Sequence, residues 1–124
     1  MLITLHPESE TPLFQQIHDR ILEAIAKGDI PPGARLDSVR RVAAEFGINP
    51  ATVKKAYDLL AAEGIIETSQ RAGSVVASPS PPSPDQETHL REELGRLAAL
   101  ARAQGFEKAA IHAELDSALT QFDY

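Results

Sequence analysis

The 124-residue sequence predicts a mainly α-helical chain in two parts. Three helices closed by a β-hairpin come first, followed by a linker and a two-helix appendage. Three observations carry this reading. Apolar residues recur every three or four positions in three segments before Gly64 and two after Gln86. Between them, in "IIETSQRAGSVVA", two short β-prone runs flank a turn. Finally, "SPSPPSPD" gathers four of the nine prolines into one short stretch.

The opening "LITL" reads as a short edge strand. In "TPLFQQIHDRILEAIAKG" Thr11 suits an N-cap, Pro12 the first helical position, and Gly28 the residue after the end. Leu13, Ile17, Ile21 and Ile25 recur every four residues, with Phe14 and Ala24 widening the apolar face. "DIPPGARL" is a turn-rich connection closed to helix, because Pro31 and Pro32 lack N–H donors. A second helix follows in "SVRRVAAEFG", capped by Ser38 and stopped by Gly47, with Val39, Val42, Ala43 and Phe46 inward. Asn49 and Pro50 start a third, whose buried stripe is Val53, Ala56, Tyr57 and Leu60 and whose end is Gly64. Two short helices joined by a tight turn at Gly47 form the pattern of a helix-turn-helix. With the hairpin from Ile65 to Ala77 as its wing, residues 1–77 make a winged helix-turn-helix.

Residues 78–85 form a Pro/Ser-rich linker, semi-extended at roughly 3 Å per residue. Ser83, Pro84 and Gln86 then give a start signal resembling a capping box. Leu90, Leu94, Leu97 and Ala101 fall at heptad-like intervals, Gly105 breaks the run, and Ile111, Leu115, Leu119 and Phe122 line a second helix. A hairpin of this size cannot bury both stripes and stay stable alone. The expectation for residues 86–124 is therefore a dimerisation unit pairing with an identical copy, held by Leu90, Leu94, Leu97, Ile111, Leu115, Leu119 and Phe122.

Charge narrows the partner. The net charge of −6 argues against nonspecific coating of nucleic acid. Yet between Arg35 and Lys55 five basic residues (Arg35, Arg40, Arg41, Lys54, Lys55) face only Asp37 and Glu45. Such a patch suits a polyanion met by one face. The absence of cysteine removes disulfides and thiolate metal sites. His6, His18, His89 and His112 lack metal-ligand spacing, and no phosphate-cradling glycine loop occurs. Neither an enzyme, a metal site nor a cofactor is expected. "MLITLHPESE" lacks the basic start and apolar run of a signal peptide, and no run reaches membrane-spanning length, so the expectation is a cytoplasmic protein with no membrane partner.

The third helix opens "NPATVKKAYDLL", placing Thr52, Lys54 and Lys55 early and away from the Val53/Tyr57/Leu60 stripe. In a helix-turn-helix this end of the second helix enters the major groove. Lysine there reaches guanine acceptors or phosphates, and threonine a base, a phosphate or the thymine methyl. The chain resembles, over about residues 11–77, the N-terminal winged-helix domain of the GntR family of bacterial transcription regulators. The resemblance runs through "PLFQQI", "GDIPPGARLDSVR", "GINPATVKKAYDLLAAEGII" and the wing "RAGSVV". Its short helical tail is similar to that of the YtrA subfamily, where a small dimerisation unit replaces a large metabolite-binding domain.

The resemblance implies a homodimer on a near-palindromic double-stranded DNA operator, with repression the usual outcome. It places Arg40 against DNA at the start of the second helix, with Ser38 capping that helix and bonding a phosphate. Asn49, Thr52 and Lys54 take DNA-facing positions of the recognition helix. Pro50 stands where several members carry arginine, which removes a base contact. Asp37 replaces the usual proline of the preceding turn. In the wing, Arg71 and Ala72 replace the first two residues of a Gly-Lys-Gly pattern while Gly73 remains, making Arg71 the minor-groove or phosphate contact. Together with Arg35 and Lys55 from the basic window, these residues are the expected DNA-binding set. The alternative is a winged helix that docks protein, against which the basic window counts. No effector site is legible.

Overall fold

Residue types at the helix ends fix most of the architecture seen in the computed structural model, which describes residues 3–122. The order is α1 (Leu13–Ala26), α2 (Val39–Phe46), α3 (Pro50–Ala62), β1 (Ile66–Ser69), β2 (Gly73–Val76), α4 (Pro84–Ala103) and α5 (Lys108–Thr120). The chain divides into two compact units, Met1–Pro79 and Ser80–Tyr124.

In the first unit, Ile17 and Ile21 of α1 meet Val42 and Ala43 of α2 and Val53, Ala56, Tyr57 and Leu60 of α3 in one buried cluster. Leu36, Ile66 and Val76 close it from the connection and the hairpin. Two sequence expectations fail at the start of the chain. Thr11 does not cap α1: Pro12 takes the N-cap position with extended ψ and offers no side-chain bond. The segment from Ile3 to Leu5 is not a strand, and Leu2 lies outside the described residues. Gln16, which is buried, ties down the segment that leads into α1. Its Nε2 donates to the carbonyls of His6 and Thr11, and its Oε1 accepts from the His6 N–H at 2.8 Å. One side-chain amide thus satisfies the N–H and carbonyl of His6 and the carbonyl of Thr11, while Ile3 and Leu5 pack against the core.

His18 is the other buried polar residue of α1. Its Nδ1 lies 2.8 Å from Asp19 Oδ1 and its Nε2 2.5 Å from Glu63 Oε1 at the end of α3. Two carboxylate acceptors call for a proton on each ring nitrogen. Burial opposes that charge, but the bonds and charges of Asp19 and Glu63 outweigh it and raise the His18 pKa above its ordinary 6.5. Its contribution to stability is therefore full below the unfolded value and lost as pH rises through the folded one. Denaturant midpoints measured upward from about pH 6.5 should fall more steeply for the native protein than for His18→Gln. Parallel curves would show that His18 carries no proton linkage.

The helix-turn-helix forms as its caps dictate. Ser38 Oγ accepts from the Arg41 N–H at 3.1 Å, Gly47 ends α2 at φ +65°, and Asn49 Oδ1 accepts from the Ala51 N–H at 2.9 Å with Pro50 first in α3. Tyr57 hydroxyl donates to the Asp37 carbonyl at 2.5 Å, tying α3 to the residue before the α2 cap. Burial, and then the charge of Asp37, raise the Tyr57 pKa, so the phenol stays a neutral donor.

The hairpin pairs Ile66 with Val76 and Ser69 with Gly73. "DIPPGARL" is more than a turn, however. Gly33 N–H bonds Val76 O, Val76 N–H bonds Ala34 O, and Leu36 N–H bonds Ser74 O at 2.8–2.9 Å, so residues 33–36 run along the free edge of β2.

In the second unit the capping box is complete: Ser83 Oγ accepts from Gln86 N–H and Gln86 Oε1 from Ser83 N–H. Gly105, at φ +97°, makes the turn between α4 and α5. Phe122 lies in a turn beyond α5 rather than on the helix, its N–H bonded to Leu119 O. No residue of either helix is buried.

Candidate nucleic-acid interface

The first turns of α2 and α3 expose the cations expected there. Arg40 is the second residue of α2, exposed and without a side-chain partner among the described residues. Ser38, one position before the helix, spends its hydroxyl on the cap. Asn49 likewise caps α3 through its oxygen, leaving its amide NH₂ directed away from that bond. Thr52 is half-buried in the first turn of α3.

The two lysines differ. Lys54 Nζ meets Asp58 Oδ2 at 2.7 Å, an exposed i,i+4 pair that a stronger anion can displace at little cost. Lys55 Nζ lies 3.9 Å from the centroid of the Phe14 ring on α1, held by a cation–π contact. Lys55 is therefore anchored to the first helix, whereas Lys54 has only a neighbour on its own helix face.

At the wing, Arg71 is exposed in the turn between the strands. Gly73 adopts φ +72°, a left-handed backbone that explains why glycine persists there. Arg35 reaches this turn from the added edge segment: its Nε donates to the Ala72 carbonyl at 2.7 Å. The structure thus brings Arg35, Arg71 and Gly73 to one wing tip. Sequence reasoning assigned Arg35 by charge alone; its link to Ala72 spans 37 positions and carries no local signal.

In the second unit, Leu94, Leu97, Ile111 and Leu115 line one open groove of about 520 Å³ between α4 and α5, with Phe106 at its end. Leu90 and Leu119 are also more than half exposed. Leu100 and Phe106, both about half exposed, extend this apolar surface and were not in the expected set. Every strongly exposed large apolar side chain among the described residues lies in this unit, and none on the helix-turn-helix. Among the described residues, no cluster of three or more His, Cys, Asp or Glu is placed to hold a metal, and no helix is long and apolar enough to cross a membrane.

Comparison with known proteins agrees with this geometry. The family described as "Bacterial regulatory proteins, gntR family" matches residues 13–76. The HTH-type transcriptional repressor YtrA of Bacillus subtilis (strain 168) is 35% identical over 113 residues, 90% of this chain and 87% of that protein. Among solved structures, a transcriptional antiterminator from Listeria monocytogenes EGD-e superposes with TM-score 0.85 at 27% identity, over 100% of this chain and 95% of its own. YtrA from Sulfolobus acidocaldarius, a GntR-family transcription factor, gives TM-score 0.64 at 38% identity, covering 80% and 99%. The DNA-binding domain of AraR in complex with operator ORX1 gives 0.53 at 27% identity, covering 60% and 93%.

Proposed function

The chain belongs to the GntR family of bacterial regulatory proteins, and from that premise we propose that it is a cytoplasmic repressor binding a near-palindromic operator as a homodimer. DNA binding and transcription regulation follow from the family. The observation that best supports the finer reading is the pairing of two features on one chain. A capped helix-turn-helix and wing display Arg40, Thr52, Lys54 and Arg71, and a separate two-helix unit leaves its leucines uncovered.

In this reading the first turn of α3 enters the major groove, where Thr52 and Lys54 meet base edges or phosphates. Arg40 approaches from the start of α2, and Asn49 joins them through its free NH₂. Lys55, held over Phe14, fixes the entry angle of α3 and supplies positive potential. Arg71 follows the backbone into the adjacent minor groove. Identical copies of α4 and α5 cover one another's leucines and set two recognition helices on half-sites about one helical turn, 34–36 Å, or a multiple apart. Catalysis has no part in this account, and no cofactor is required.

The test is a duplex selected from a random pool by the intact protein, titrated with Arg40→Ala and Lys54→Ala. A lost base-edge contact should cost about 1–3 kcal/mol and relax preference at one position. A lost phosphate contact should weaken all sequences alike and flatten the salt dependence. Unchanged affinity in both variants would remove these residues from the interface.

A further inference from the structure

We propose that Arg35 is the positioning residue of the wing: it fixes the turn that carries Arg71 and thereby sets how Arg71 meets the duplex, a role that rests on the DNA-binding reading above.

The turn between β1 and β2 is held at both ends of its exposed peptide run. Ala72 N–H donates to Ser69 Oγ at 2.9 Å, and the Ala72 carbonyl accepts from Arg35 Nε at 2.7 Å. Arg71 sits between Ser69 and Ala72 with no side-chain partner among the described residues, so its direction depends on these two bonds. Arg35 is itself fixed. Its backbone faces Val75 across the sheet edge, and the bonds from Val76 N–H to Ala34 O and from Leu36 N–H to Ser74 O bracket it. Leu36, next in the chain, is buried in the core. The brace therefore starts from the sheet edge and reaches the exposed turn.

The guanidinium also covers Gly73. A Cβ built on Gly73 would lie 3.4 Å from Arg35 Nε, 3.6 Å from Nη2 and 3.9 Å from Cζ. The flat cation thus lies at van der Waals distance over the bare glycine, and the left-handed backbone at φ +72° is what disfavours a side chain at position 73. Lysine cannot reproduce this contact, because its ammonium is a point donor without a plane to lay over the glycine. Arg35→Lys keeps the charge at the wing tip and removes the brace. With Nε committed to Ala72, the terminal nitrogens of Arg35 have no protein partner among the described residues, and they keep the tip cationic beside Arg71.

The experiment uses the full chain and a duplex enriched by it from a random pool. Affinity is measured for Arg35→Lys, Arg71→Ala and the double variant, alongside ¹⁵N relaxation of each free protein. Arg35→Lys should weaken binding about tenfold despite its conserved charge, and the double variant should bind no worse than Arg71→Ala alone, since coupled residues are not additive. In the free protein, Arg35→Lys should lower the order parameters of the Ala72 and Gly73 amides and leave Thr68 and Val75 unchanged. Additive losses, or full affinity in Arg35→Lys, would show that Arg35 does not act through Arg71. Unchanged order at Ala72 and Gly73 would overturn the brace itself. Failure of the intact protein to enrich any duplex would overturn the DNA reading and this role with it.

Discussion

A chain ending at Pro79 is expected to sediment as a monomer and to bind its operator about 10²–10⁴-fold more weakly than the intact protein. The core cluster of the first unit lies wholly within residues 17–76, so removing α4 and α5 takes nothing from it. What goes is the apolar surface of Leu90, Leu94, Leu97, Leu100, Leu115 and Leu119, between 44% and 60% exposed on a hairpin with no buried residue. A forty-residue pair of helices in that condition needs a cover, and a second copy offers a surface of matching chemistry. Joining two half-site readers makes the second contact intramolecular, which is where the large factor arises. Sedimentation and duplex titration of both chains check it. An intact protein that stays monomeric at micromolar concentration, or a truncated one that binds equally well, would rule out this use of the helices.

Leu60→Ala should produce the largest loss of stability of any aliphatic truncation in α3. Leu60 is fully buried near the end of α3, in the same cluster as Ile17 and Ile21 of α1 and Val42 of α2. Deleting a buried leucine costs about 2–5 kcal/mol, the transfer of the lost methyls plus the cavity left behind. A unit of this size has a total stability on the order of 4–12 kcal/mol. The variant should therefore unfold at markedly lower denaturant, with loss of duplex binding as α3 melts. Urea titration followed by tyrosine emission reports this, since Tyr57 sits in that core. A shift worth less than about 1 kcal/mol would contradict the placement of Leu60.

The parts legible in the sequence were those decided within one helical turn. Ser38, Gly47, Asn49 and Pro50 act on their immediate neighbours, and all four take the expected places at the helix ends. The Ser83–Gln86 box and the glycine turn at Gly105 are of the same kind. The buried stripe of α3 was readable because helical period alone selects it. What was not readable depends on partners far along the chain. Gln16 bonds the His6 backbone across ten positions, a contact with no local signal. His18 was read as one of four scattered histidines, yet it meets Glu63 forty-five positions away. Of the residues proposed to meet DNA, Thr52 and Lys54 were legible from their place early on the third helix, whereas the roles of Arg40 and Arg71 came from the family resemblance. The Lys55–Phe14 contact and the Arg35–Ala72 bond emerge only once α1, α3 and the wing are assembled.

The edge segment along β2 has a consequence for the order in which the protein folds. The bond from Val76 N–H to Ala34 O closes a loop of about forty residues that contains all of α2 and α3. The β1–β2 hairpin, by contrast, is local and can form within microseconds. The bonds of residues 33–36 to β2 are therefore late events, made after the helices have drawn the chain ends together. The wing can be present as a hairpin before it is anchored, and it acquires its fixed bearing only when the helix-turn-helix beside it is complete. A nascent or partly unfolded chain thus carries a wing without a frame.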